Sequence, residues 1–577
     1  MLADQTIGEN WWKLLWLPPT LPYLTPGEPY AEFGGPEGKK ITKRLVFSSW
    51  MATPTAIATL LSYRADRLAA GPKWTGTSPD ERQTEWNNRR KWLAYGMDST
   101  NTSRPARMAT LALFWPMPGL AELADPLMHR RRAPGPVSPQ DLTRLVADQL
   151  GRPDSADPEA KEASHWWEAF ARDDSLPPAL RNDSSRLDQI VAALKGESDD
   201  DLDDDEQPSV ERGNVLARHV ALAFECAETP QDRHVSDAVR VQLAEVAAHS
   251  PANIAYRVLA RISHGQQRVT DKGLWIAAAQ LGSSLRTLFA RPETTLLLSQ
   301  LMPDQPYWRS VLQYCAAGNL QAVMDEYLYH LLVAQGKPTL DDKRLLAIAD
   351  TAGSAIALRP ANYEVFDPQR PQERPKLSAQ FALRYGGRRV EQESVRLPQV
   401  RQAFNSPFRP FVLASTSVGQ EGIDFHWWCH AILHWNTPAS PIDFEQREGR
   451  IDRYDGHAVR LNLVQRHAEE ILAAEDADPW EAAYRIAAEA ADASLGAFAP
   501  HWVYPGTAKI ERHVAPFALS NDEVRLARVK KDVALYRLTF GQPRQEDMLE
   551  LLNQRYSAAD PSDLDEMRVD LSPPRRS

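Results

Sequence analysis

The run Ser415-Thr-Ser-Val-Gly-Gln-Glu-Gly-Ile-Asp-Phe425 gathers hydroxyls, glycines and a carboxylate in one short stretch. The hydroxyls of Ser415, Thr416 and Ser417 can donate to phosphate oxygens. Gly419 and Gly422 let the backbone approach a phosphate or a sugar closely, and Asp424 can accept from a ribose hydroxyl. A second stretch, Gln446-Arg-Glu-Gly-Arg-Ile-Asp-Arg453, follows. Read as a helix, it sets Gln446, Arg450 and Arg453 at i, i+4 and i+7 on one face. Two guanidiniums on one face suit the clamping of a highly charged phosphate. Gly449 costs about 1 kcal/mol in a helix interior, so it signals close approach of another group. Each stretch also has a plainer reading. The first is then an ordinary strand-to-helix turn. The second is a salt-bridged surface helix with Glu445, Glu448 and Asp452 as partners.

The elements around these stretches are those of an α/β sheet. Lys43–Ser49 (KRLVFSS) has a short apolar centre and reads as a buried strand. Thr53-Pro54 starts a helix, a cap followed by a proline in the first turn. FALRYGG from Phe381, FVLAS (Phe411–Ser415), AILHWN (Ala431–Asn436) and VRLNLV (Val459–Val464) read as further strands. The first glycine stretch therefore lies at a strand's C-terminal end, where α/β sheets bind ligands. Ser440-Pro441 starts the arginine helix. Between the first strand and the rest, segments such as DAVRVQLAEVAAH and WRSVLQYCAAGNLQAVMDEYLYHLLVAQ show helical apolar spacing. The acidic run Asp199–Glu206 reads as a solvated loop, and the terminal SPPRRS as a disordered tail.

Taken together, the two stretches resemble motifs V and VI of superfamily-two helicases, nearest to the Swi/Snf-like and RapA-like translocases. KRLVFSSW resembles their motif IV, and HWNTPASPIDFEQREGRIDRYDGH the stretch leading through motif VI. FNSPFRPFVLASTSVGQEGIDFH is similar to large bacterial helicase-related proteins, some found beside phage-defence genes. The resemblance covers residues 41–65 and about 380–465. It implies the second RecA-like lobe of an ATP-dependent motor. Arg450 and Arg453 would reach the γ-phosphate, with Gln446 in support. Gly419, Gly422, Asp424 and Gly449 would lie near the nucleotide. Thr416, with Ser415 and Ser48, would contact the nucleic-acid backbone, double-stranded DNA before RNA. Asp452 departs from the Gly or His of many relatives and puts the arginine geometry in doubt.

A complete motor also needs a GxxxxGK[ST] loop and a magnesium-holding acidic motif. Gly34–Lys40 has the wrong spacing and precedes its strand. Asp325-Glu326 sits in a helical pattern. The expected layout is an aromatic-rich segment 1–40, a RecA-like lobe in two parts (41–69 and 376–470) split by a helical insertion 70–375, and a helical extension with its tail, 471–577. The expected function is the C-terminal half of a helicase or translocase. ATP and Mg2+ would be bound chiefly by a first lobe on another polypeptide, so the chain alone would be inactive. The alternative is a catalytically inactive scaffold that binds DNA or a protein. Trp11, Trp12, Leu14, Leu15, Trp16 and Leu17 are expected either to anchor that partner or to pack back on the chain's own helices.

Composition fits this class. Apolar residues make up 43% and charged residues 25% of 577, as in ordinary globular proteins. A net charge of −11 argues against indiscriminate coating of DNA but leaves room for a local basic groove. No apolar run reaches the roughly 20 residues of a membrane helix, and the acidic N-terminus carries no signal-peptide pattern. Cys226, Cys315 and Cys429 lie far apart and form no CxxC pair, so no metal site or disulfide framework is expected. Free thiols point to the cytoplasm.

Overall fold

The computed structural model describes the chain except residues 35–40, 75–80, 82–83, 86–87, 90–91, 99–104, 133–134, 151–175, 196–208, 229–236, 365–375, 387–390, 417–422, 439, 516–519, 539–543 and 556–577. The acidic run, the C-terminal tail, most of Gly34–Lys40 and both Gly419 and Gly422 thus lie outside the described residues.

Nine strands are described: β1 (Arg44–Ser48), β2 (Gly96–Met97), β3 (Pro105–Ala106), β4 (Ala361–Glu364), β5 (Lys376–Ala379), β6 (Ala382–Tyr385), β7 (Val412–Thr416), β8 (Ala431–His434) and β9 (Glu511–Val514). Five make one parallel sheet in the order β6-β7-β1-β8-β9, and the others form two antiparallel pairs, β2-β3 and β4-β5. The fold is therefore mixed α/β, with the first strand of the chain at the sheet's centre. Burial on both faces explains the near-continuous apolar β1 and β8.

One of the expected strands is corrected, and one strand was not expected. VRLNLV is not a strand but part of the helix His457–Ala473. Its Val459 and Leu463, four apart, share one buried face, while Arg460 and Asn462 are buried by hydrogen bonding. The fifth strand is instead β9, whose charged sequence Glu-Arg-His-Val hides it from an apolar-run search.

From Met108 to Ile356 the described chain is a succession of helices. Their starts repeat one device, a capping side chain followed by proline. Ser138 caps Pro139–Gln149 by accepting from Asp141 N, and Ser250 caps Pro251–Ile262 by accepting from Asn253 N. These helices pack on one face of the sheet, and Val46, Val412, Ala414 and Leu433 join their core. The opposite face buries Leu45, Phe47, Leu413 and Ile432 against Phe404, Phe425 and Ile451.

The N-terminal tryptophans belong to this core and are not available to a partner. Trp16 is fully buried. It stacks on Tyr30 and meets Tyr314 edge-on, with ring centroids 5.7 and 5.0 Å away. Its Nε1 donates to the carbonyl of Gly318 at 3.0 Å. Gly318 must be glycine, because a Cβ there would lie 2.7 Å from Tyr30 and 2.8 Å from Trp16. Asp325 and Glu326 are likewise structural. Asp325 accepts from Tyr23 and pairs with Arg261, while Glu326 accepts from Thr20 and pairs with Arg460 at 2.8 Å.

Candidate functional site at the end of the parallel sheet

Parallel pairing places Phe47 beside Ser415 and Ser48 beside Thr416, so β1 and β7 end together at the C-terminal end of the sheet's strands. Ser48 and Ser415 are buried there. The Ser48 hydroxyl accepts from Trp50 N at 3.0 Å and turns the chain after β1. Of the three side chains expected to touch nucleic acid, Thr416 alone is partly exposed.

The arginine helix begins as expected. Ser440 caps it by accepting from Ile442 N, and Pro441 occupies the first turn. The helix is shorter than expected and ends at Glu448, with Gly449 as its αR cap. Gln446, Arg450 and Arg453 therefore do not share a helix face. A Cβ at Gly449 would meet only its own helix carbonyls, Glu445 O at 3.3 Å and Gln446 O at 3.8 Å. The glycine ends a helix and admits no further group from the described residues.

Past Gly449 the chain turns, and the two arginines separate. Arg450 is 8% exposed, with its guanidinium 5.5 Å from the Phe47 ring centroid. Arg447, which the sequence did not single out, lies at the same 5.5 Å from that ring. Burial, with Arg450 nearby, lowers the Arg447 pKa to about 10. Arg453 pairs with Asp424, Nε to Oδ1 2.9 Å, and these side chains are 42% and 38% exposed. Gln446 is exposed.

The two sequence stretches meet in space. Phe425 N donates to Arg450 O at 2.8 Å, and His457 N donates to His426 O at 3.1 Å. Asn405 holds the Asp424 carbonyl through its amide at 2.8 Å. Asp424 and Arg453, 29 residues apart in sequence, are thereby brought into contact. Comparison with protein-family models, with curated proteins and with solved structures finds no match to this chain.

The acidic residues of the arginine helix are engaged elsewhere. Glu448 pairs with Arg512 beside β8, and Glu445 with Arg537 at 2.7 Å. Burial raises the Glu448 carboxyl, but the nearby His434 ring, 3.6 Å away, and the hydrogen bonds from Arg512 outweigh it and leave its pKa below the ordinary value. These partners come from the segment after residue 500. Asp452, read from the sequence as a salt-bridge partner on this stretch, is exposed, and partial desolvation together with the nearby Glu448 and Glu445 raises its pKa. Asp424 does the tethering instead.

A cavity of about 530 Å³ adjoins Asp424, lined also by Tyr327, His330, Asn405, His426 and Tyr454. Sequence reasoning missed this wall because its residues come from distant elements. The dense run His426-Trp-Trp-Cys-His430 was the one local signal. Among the described residues no group of three or more His, Cys, Asp or Glu is placed to hold a metal ion.

Proposed function

We propose that the chain is the C-terminal half of an ATP-dependent DNA helicase or translocase. In this reading the parallel sheet is a second RecA-like lobe, and the helices between β1 and β6 are an insertion in it. A first lobe on a separate polypeptide holds most of the ATP and its Mg2+, and the assembly works in the cytoplasm. The observation that carries the reading is the junction of Asp424 with Arg453 at 2.9 Å, alongside the backbone bond from Phe425 to Arg450. It joins the residues from Asp424 onward to the arginine turn, and α/β sheets bind ligands at the C-terminal ends of strands such as β7.

The roles follow from the chemistry. Arg450 and Arg453 neutralise charge developing on the γ-phosphate, and Gln446 supports them. A pair as exposed as Arg453–Asp424 is worth only about 0–1 kcal/mol, so a phosphate of higher charge can draw Arg453 away. Thr416 touches the backbone of double-stranded DNA. At the same end of the sheet Trp50 and Met51 are 54% and 59% exposed, an apolar surface suited to the partner lobe. Among the described residues no helix is long and apolar enough to cross a membrane.

A second reading, a helicase-like scaffold that binds DNA or a protein without turnover, is favoured by the burial of Arg450 over Phe47. Co-purification separates the two readings. The wild-type chain should bind the product of the adjacent upstream reading frame in the presence of ATP and DNA, and Trp50→Ala should weaken that binding. Failure of the wild-type chain to bind it would favour the scaffold.

A further inference from the structure

After β9 the chain forms the helix Asp522–Leu538, outside the stretches that resemble motor motifs. Its apolar side, Leu526, Val529 and Val533, packs on Phe444 of the arginine helix, and Arg537 pairs with Glu445 at 2.7 Å. The helix is thereby held in place. It also carries Arg525, Arg528, Lys530 and Lys531, all exposed, within about two turns.

A helix side that only faces water gains from opposite charges three or four residues apart. This helix does the reverse. Arg525, Arg528 and Lys531 follow one another at steps of three, so each is the surface neighbour of a like charge, an unfavourable arrangement in isolation. No acid lies three or four residues from Lys530 or Lys531. Among the described residues only Arg528 of the four meets a carboxylate, Asp532 at 3.7 Å, and Asp532 also accepts from Asn553. In a chain of net charge −11, four cations gathered in this way point to an anionic partner. What the surface lacks narrows the choice. Between Arg525 and Lys531 the only other exposed side chain is Ala527, so the aromatic anchors of protein interfaces are absent there. A helix lying in a membrane surface buries its apolar side in lipid, and here Phe444 already covers that side. Cations alone fit the backbone of a DNA duplex, which carries one charge per about 1.7 Å of axis and is held through charge without regard to sequence.

We propose that the helix Asp522–Leu538 binds the phosphate backbone of double-stranded DNA through Arg525, Arg528, Lys530 and Lys531. The site stands on this helix alone, and neither ATP nor a first lobe enters it. In the motor reading it is a second hold on the duplex, separate from Thr416.

The test is fluorescence anisotropy of a labelled DNA duplex of arbitrary sequence titrated with the full chain, without ATP, at a series of salt concentrations. Four phosphate contacts predict a slope of log affinity against log salt of about −3.6, roughly a hundredfold loss between about 50 and 200 mM NaCl. The triple variant Arg525→Gln, Lys530→Gln, Lys531→Gln should reduce that slope by about 2.7. Its thermal unfolding should be unchanged, because glutamine is as good a helix former. Lys343→Gln, an exposed cation on the helix Asp342–Ile356, should leave the slope as it is. Four results would overturn the site: no binding by the wild-type chain at about 50 mM salt, a triple variant with the wild-type slope, an equal loss in Lys343→Gln, or tighter binding of poly-glutamate or duplex RNA than of the DNA. The motor reading fails separately. A mixture with the upstream product that shows no DNA-stimulated hydrolysis would leave the wild-type slope and its loss in the triple variant standing.

Discussion

At the scale of single residues, Arg450 and Arg453 are placed differently, and their substitutions should differ in kind. Arg450 is buried over an aromatic ring, whereas Arg453 is half-exposed and held by Asp424. Asp424→Asn removes a weak, solvent-screened pair and should change unfolding stability by no more than about 1 kcal/mol. The same substitution should still slow hydrolysis by an assembled motor, because Arg453 loses its aim. Equal losses of stability and rate would mean that the pair is only structural. The chemical types at this site were legible in the sequence, where Asp424 was read as an acceptor for a ribose hydroxyl. That its partner is a guanidinium 29 residues away was not legible, because spacing along a chain carries no distance across a turn. Nor did the sequence reveal that Ser48 and Ser415 are buried. Hydroxyls at a strand end serve the backbone turn as readily as a ligand.

At the scale of elements, starts were easier to read than stops. Ser440-Pro441 marks the beginning of its helix, as Ser138-Pro139 and Ser250-Pro251 do of theirs. The helix of the arginine stretch ends at Glu448 because Gly449 caps it and Ile451 plugs into the core beneath Phe47. A periodicity run past that point placed three residues on a face that does not exist. VRLNLV misled for a related reason. Its apolar residues fit both periods, and only the buried Arg460, paired with Glu326 and lying 4.9 Å over Trp428, requires the helix. That pair is fully enclosed, so Arg460→Met alone should cost about 3–5 kcal/mol by stranding a buried carboxylate. Denaturant unfolding measures this, and a loss under about 1 kcal/mol would mean that water reaches Glu326. Trp16→Ala should cost about 3–5 kcal/mol in the same assay, because the indole fills a cage of four aromatic rings. A loss of partner binding without loss of stability would return Trp16 to the interface role.

At the scale of the whole molecule, the central strand comes from the beginning of the chain and its neighbours from far later, so the sheet closes only when β1 meets β7 and β8. The regular α/β alternation made these strands visible. The charged β9 was invisible because its place at the sheet's edge lets it stay polar. Beside this sheet His430 and His457 face each other, Nδ1 to Nδ1 3.1 Å, near Glu511, Arg44, Arg460 and Lys43. Burial holds His430 at about 4, and burial with repulsion from His430 and Arg460 keeps His457 well below its ordinary value. Both are thus neutral when folded and bind protons on unfolding. Their contribution is present above the unfolded pKa of about 6.5 and is lost as pH falls toward 4, by up to about 1.4 kcal/mol per group per pH unit. His457→Gln should flatten the fall in unfolding free energy across that window, and an unchanged slope would show that other groups govern it. The most direct test of the second-lobe reading is DNA-stimulated ATP hydrolysis by the chain mixed with the product of the upstream reading frame. Neither protein alone should turn over at a motor's rate, the mixture should, and Arg450→Ala should cut the mixture's rate by about 10³–10⁵ while sparing ATP binding. Wild-type rates from a mixture carrying both Arg450→Ala and Arg453→Ala would contradict it.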